Sequence, residues 1–244
     1  MNPVVVVFRK EVASFFNSLI AYLVLSIFLV GIGLFFWVFE DNVFDQGTAQ
    51  LDILFSMAPW FFLFLVPAIT MRFFSEEIKT GTLEFLATKP ITDWQILLGK
   101  YLAAVWLLTL SLLPTLIYYI SLGLLALPAW NLDTGAIMGA YLGLVGIGAV
   151  FCAIGVFSSS LTDSQIVAFL YGVLLCFTLF AGFDSLAQLA GFGEYNDTIL
   201  QLGILEHYRS ISRGVVDSRD VLYYLTLIFF FLFLTYHVLV GRRG

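Results

Sequence analysis

What this sequence lacks decides most of its reading. Charged side chains make up 11% of its 244 residues, where a soluble domain carries roughly 25%. So few charges cannot make a water-facing surface, so lipid must be the solvent for most of the chain. The basic residues stand singly or in pairs, which excludes the stripe that nucleic acid requires, and no nucleic-acid partner is expected. Cys152 and Cys176 lie inside apolar runs and read as packing residues, because a metal site needs more N, O or S ligands than those runs offer. His207 and His237 are isolated. The apolar windows hold no histidine cluster, facing acids or nucleophile motif, which argues against an integral-membrane enzyme. No catalytic, cofactor-binding or metal-binding residue is assigned.

What is present is apolar sequence in long stretches. Charge-free windows run Leu19–Phe39, Ile53–Met71, Tyr101–Leu132, Thr134–Thr162, Ser164–Phe183 and Val221–Gly241. Each is as long as the roughly 18 residues that a membrane helix needs. The third and fourth exceed one span, with the turn between them placed at Pro128 and Asn131 and Trp130 at the interface. The first window is too long for a signal-peptide core and lacks a small-x-small cleavage site, so it is expected to remain as a span. The fold class expected is an all-α polytopic membrane protein with six transmembrane helices.

Lysine and arginine orient the bundle. Arg9, Lys10, Arg72, Lys79, Lys89, Lys100, Arg242 and Arg243 share one side, and Arg209, Arg213 and Arg219 lie on the other. That bias puts both termini in the cytoplasm. Before the first span, Pro3–Ser18 mixes apolar residues with Arg9, Lys10 and Glu11. It reads as an interfacial helix, with Phe8 and Phe15 towards acyl chains and Arg9 and Lys10 towards anionic headgroups, or else as a frayed tail. Pro59, Pro67 and Pro114 fall within spans, where neighbouring groups must take up the freed carbonyls. Gly139-x-x-x-Gly143 and the nearby Gly146 and Gly148 predict close helix contact, either within the chain or with another subunit.

The segment 72–100 is the most specific. Arg72 to Lys79 continues the second span into water, and Gly81 ends that helix. A short helix follows from Thr82 to about Thr88, with Glu84 early and Lys89 late, as the helix dipole favours. Pro90 stops it, and Thr92-x-x-Gln95 is a capping box for the third span. Thr162-x-x-Gln165 repeats that pattern before the fifth span. Leu83, Phe85 and Leu86 need burial, either in the membrane interface or against a cytoplasmic partner.

Glu76-Glu77-x-Lys79-x-Gly81-Thr82-Leu83-Glu84-x-Leu86, then Pro90, then Gly99-Lys100, resembles the signature of ABC-2 type transporter permeases. Ala58-Pro59-Trp60, Pro67–Arg72 and Asp163–Phe169 are similar to the gliding-motility-associated permease (GldF type) of Bacteroidota. The resemblance implies one transmembrane domain over 1–244, with an interfacial segment 1–18, a cytoplasmic coupling loop 72–100 and a periplasmic loop 184–220. It also implies short re-entrant helices in that last outer loop, in a bacterial inner membrane. In such permeases a cytoplasmic coupling helix seats in an ABC ATPase subunit. Carried over, Glu76, Glu77, Lys79, Gly81, Thr82, Leu83, Glu84, Phe85, Leu86, Thr88 and Pro90 would form the ATPase-coupling site. The sequence has no Gly-x4-Gly-Lys-Ser/Thr loop, so ATP and Mg are expected on the partner ATPase. A second permease subunit is implied, either the same chain or a related protein with a large outer domain.

The functional expectation is therefore a membrane-spanning subunit for ATP-driven export or mechanotransmission. An ATP-independent channel or secondary carrier is the alternative. Such carriers usually bury ionisable groups at mid-membrane, and here only His237, near the end of the last window, comes close. In the last outer loop, Ser210–Arg213 lines an exit vestibule or a partner surface, and His207, Arg209 and Arg213 share a helix whose role is read as surface packing.

Overall fold

A computed structural model describes residues 2–40, 42–48, 50–82, 91–189, 200–212 and 217–242, and among them every regular element is a helix. The first, α1 (Pro3–Phe16), begins where Asn2 accepts a hydrogen bond from the Val4 amide at 3.1 Å, with Pro3 in the first turn. Valine is a weak helix former. The helix holds because Val7, Glu11 and Phe15 fall on one face and are buried against the bundle.

Six helical stretches are long and apolar enough to cross a membrane. The first is α2 (Leu19–Trp37), followed by a single turn, α3 (Val43–Gln46), capped by Asn42. The second joins α4 (Asp52–Thr70) to α5 (Arg72–Lys79). The third is α6 (Asp93–Leu112), a 3-10 turn Leu113–Thr115 at Pro114, and α7 (Leu116–Leu125). The fourth is α8 (Thr134–Leu161). The fifth is α9 (Gln165–Phe177), continued through a π turn at Thr178–Gly182 into α10 (Phe183–Leu189). A short helix, α11 (Ile204–Ser212), precedes the sixth span, α12 (Ser218–Gly241).

The bundle is built around α8, which packs on α4, α5, α6, α9, α11 and α12. Every residue from Val150 to Val156 is buried, as expected of a helix that is apolar all round and enclosed by others. Its small residues settle the close contact that the glycine pattern predicts. A Cβ on Gly148 would run into Leu108 of α6, and one on Gly155 would run into Thr70 of α4. These contacts lie within the chain.

One proline notch is filled as lipid requires. Pro59 has no N–H for the carbonyl of Phe55, and the buried Tyr208 hydroxyl of α11 donates to that oxygen at 2.6 Å. α11 is thereby pinned to the second span.

One expectation fails locally. Thr92 and Gln95 form the reciprocal capping box at the start of α6, but α9 is capped from Ser164 with no side-chain bond. Thr162 instead ends α8, and its hydroxyl accepts only from the Ser164 amide at 3.2 Å. Two residues of turn between Leu161 and Ser164 put Thr162 too far back to serve the next helix.

Of the basic residues grouped on one side of the sequence map, Lys10, Arg72, Lys100 and Arg242 share one end of the bundle among the described residues. Arg72 donates to the Ser14 carbonyl at 2.8 Å, and Arg242 donates to the Leu161 carbonyl at 2.8 Å. Trp94 stacks on Tyr236 there, with ring centroids 4.9 Å apart. At the opposite end, α11 meets the start of α12.

Candidate coupling site

The α5 helix carries the second span past its apolar stretch and stops sharply. Thr80 and Gly81 donate to the carbonyls of Glu76 and Ile78, and Gly81 takes φ +68°, a left-handed angle that glycine adopts without a Cβ clash. The Thr80 hydroxyl also bonds the Glu76 carbonyl at 2.8 Å. Glu76, Lys79, Thr80, Gly81 and Thr82 are exposed. Leu83, Glu84, Phe85, Leu86, Thr88 and Pro90 lie outside the described residues. Ile91 leads into α6, where the Thr92 amide donates to Gln95 Oε1 at 3.1 Å.

Glu77 points the other way. Its Oε1 lies 2.5 Å from Lys10 Nζ and 3.0 Å from Lys100 Nζ. Lys100, on α6, is 1% exposed and also donates to Glu11 Oε1 at 2.7 Å and to the Phe73 carbonyl at 2.5 Å. An ammonium has three protons, and here each meets an acceptor. The charge also lies 4.9 Å from the Phe74 ring centroid. Two acids and two bases thus bind α1, α5 and α6 into one unit, with no net charge left inside.

Gly99 lets this happen. A Cβ there would stand 2.8 Å from Val7 Cβ and 3.0 Å from the Val4 carbonyl, so only glycine lets α1 lie directly on α6. Burial pulls the Lys10 ammonium down, but its hydrogen bond to Glu77 and the charges of Glu11 and Glu77 outweigh that and hold it above its ordinary value.

Three sequence expectations are corrected by this geometry. Glu77 is turned into the protein, so it supports the segment rather than offering a polar contact. Lys10 is spent on Glu77 rather than on headgroups. Phe15 is 3% exposed, packed within the chain beneath Arg72, so it is not free for lipid. Arg9 is exposed, and Phe8 is half-buried with its ring edge-on to Trp106.

Sequence reasoning placed Lys100 only in the charge bias and the family signature, and gave Glu11 no role. The signal was there in α1, where an acid occupies the middle of the apolar stripe Val7, Glu11, Phe15 and so demands a buried cation.

The family model for ABC-2 family transporter protein matches residues 38–192 of the chain, from the first outer turn through all of α4 to α10. The chain belongs to the ABC-2 transporter family. No curated protein matches it. As an ABC-2 family member with six apolar spans, it is a multi-pass membrane permease of an ABC transporter. The match includes α5, Gly81 and α6, while α1, with Lys10 and Glu11, lies before it.

The opposite end of the permease carries a second polar group. His207 Nδ1 lies 2.7 Å from Asp220 Oδ1, Nε2 lies 2.9 Å from the Gln201 carbonyl, and the ring stacks on Tyr223 at 3.9 Å. Arg209 reaches Asp184 at 3.3 Å and Glu206 at 3.2 Å. His207 and Arg209 therefore face different partners, and Arg213 lies outside the described residues. Ser212 lines a cavity of about 580 Å³ with Asp52, Trp60, Phe180 and Tyr208.

Proposed function

We propose that this permease is driven by a separate cytoplasmic ABC ATPase, which docks on the segment that leaves α5 at Gly81. The observation that carries this reading is the pairing of an exposed, abruptly ended α5 with a buried ion cluster directly behind it. A helix that is to pass on a displacement must be stiffly tied to the spans it moves. Glu77 and Lys100 supply that tie to α1 and α6, while Glu76, Lys79 and Thr82 face the partner. Beyond them, Leu83, Glu84, Phe85, Leu86 and Thr88 would fill the partner's groove, and Pro90 would end the segment. ATP and Mg would be bound by the partner, and closure of two ATPases would shift the spans between two packings.

Both termini would then be cytoplasmic, in a bacterial inner membrane, as the lysine and arginine bias favours. The gliding-type likeness of Ala58–Trp60, Pro67–Arg72 and Asp163–Phe169 adds a narrower proposal. It makes the second permease subunit a related protein with a large outer domain, and the role one of secretion or motility. Two of those stretches lie within the second span and hold its prolines, Pro59 and Pro67.

The test is co-purification of the permease with its ATPase from membranes. Gly81→Pro and Leu83→Asp are each expected to weaken ATPase retention and to lower ATP hydrolysis by the extracted complex. Undiminished ATPase binding in both variants would refute docking at this segment. Transport by the purified chain in vesicles without ATP would instead support a carrier.

A further inference from the structure

The lipid-facing side of α1 and α6 forms an open groove of about 540 Å³, separate from the ion cluster. Val4, Val5, Phe8 and Arg9 line it from α1, and Leu102, Val105, Trp106 and Thr109 line it from α6. The α6 residues fall at helical spacing along one ridge and, at 1.5 Å per residue, extend about 10 Å into the bilayer from the level of α1. Thr109 has the only hydroxyl among these lining residues, and it is satisfied within the helix by the Val105 carbonyl at 2.8 Å. The groove walls are therefore apolar, closed at one side by the edge-on contact of Phe8 with Trp106.

Arg9 stands at the mouth. It is exposed and makes no ion pair among the described residues, whereas the adjacent Lys10 is turned to Glu77. An apolar trough with one uncommitted cation at its rim matches a ligand with an acyl chain and an anionic head. We propose that this groove is a binding site for an anionic phospholipid, with an acyl chain along Leu102, Val105 and Trp106 and the phosphate on Arg9. This site goes beyond ATPase coupling and does not depend on it, since no α5 residue lines the groove.

The experiment uses the complete chain in nanodiscs containing brominated phosphatidylglycerol or brominated phosphatidylcholine. The Trp106 signal is isolated by subtracting the Trp106→Phe variant. One guanidinium at a membrane surface is worth about a fivefold preference, so the anionic lipid is expected to occupy the groove, and quench Trp106, about fivefold more effectively than the zwitterionic one. Arg9→Gln, an exposed change that leaves folding intact, is expected to abolish the difference, and Arg9→Lys to restore most of it. Equal quenching by both lipids in the unaltered chain would overturn the proposal, as would a preference that survives Arg9→Gln. Relief of quenching by inorganic phosphate would overturn it too, because the site would then serve a free anion. So would failure of either lipid to reach Trp106, as expected if a second copy of the chain covers the groove.

Discussion

Single residues here carry obligations that their neighbours in sequence do not reveal. Lys100 has no water to fall back on, and its acceptors come from Glu11, Glu77 and the Phe73 carbonyl. Replacing it with methionine strands two carboxylates beside one half-exposed lysine, and breaking such a buried pair costs about 3–5 kcal/mol. Thermal unfolding of Lys100→Met in detergent is therefore expected to shift sharply downward. Changing Glu11, Glu77 and Lys100 together to leucine is expected to recover most of that loss, because the charge left without its partners, Lys10, is half-exposed and can turn to water. Tyr208 is a second case. Tyr208→Phe leaves the Phe55 carbonyl without a donor, at a cost of about 1–3 kcal/mol. Pro59→Ala supplies an amide for the same oxygen, so the double variant is expected to be less destabilised than the sum of the two single changes. A purely additive result in a double-mutant cycle would show that the hydroxyl contributes nothing specific.

Elements were readable to very different degrees. The six spans follow from charge-free length alone, and their observed bounds lie within a few residues of the windows, apart from the long extensions of the second and third. Gly81 as a helix stop was also readable, because backbone chemistry acts within a single turn, but nothing local told Pro114, which interrupts its span, from Pro59 and Pro67, which do not. The capping boxes show where local reading ends. Thr92 and Thr162 sit in the same four-residue pattern, yet only Thr92 caps the helix that follows. The difference lies in where the preceding helix stops, which packing of α8 decides and the motif does not record. Thr92→Ala is expected to destabilise by about 1 kcal/mol, and Thr162→Ala by clearly less, in matched denaturation measurements. The cluster that unites α1, α5 and α6 was hidden for another reason. Its partners are up to 89 residues apart, and no local pattern pairs Glu11 with Lys100 rather than with another cation.

At the scale of the molecule, the chain is a bundle wrapped on α8 with distinct polar fittings at its two ends. At one end Glu11, Glu77 and Lys100 are buried with half-exposed Lys10 beside them, and Arg72 and Arg242 bond carbonyls of neighbouring segments. At the other end, α11 is fastened to the second and last spans through Tyr208 and His207. The positive bias that oriented the sequence map is therefore partly structural, since several of those cations hold helices together.

The long interval between Glu11 and Lys100 also sets an order of events during synthesis. Until the third span has emerged and inserted, Glu11 has no buried Lys100 to meet and α1 has no Gly99 surface to rest on. A ribosome-bound chain truncated after the second span is expected to leave a cysteine at Glu11 open to a water-soluble thiol reagent, and a chain carried past the third span to shield it. Biogenesis of this protein would then close its first helix last among its early parts.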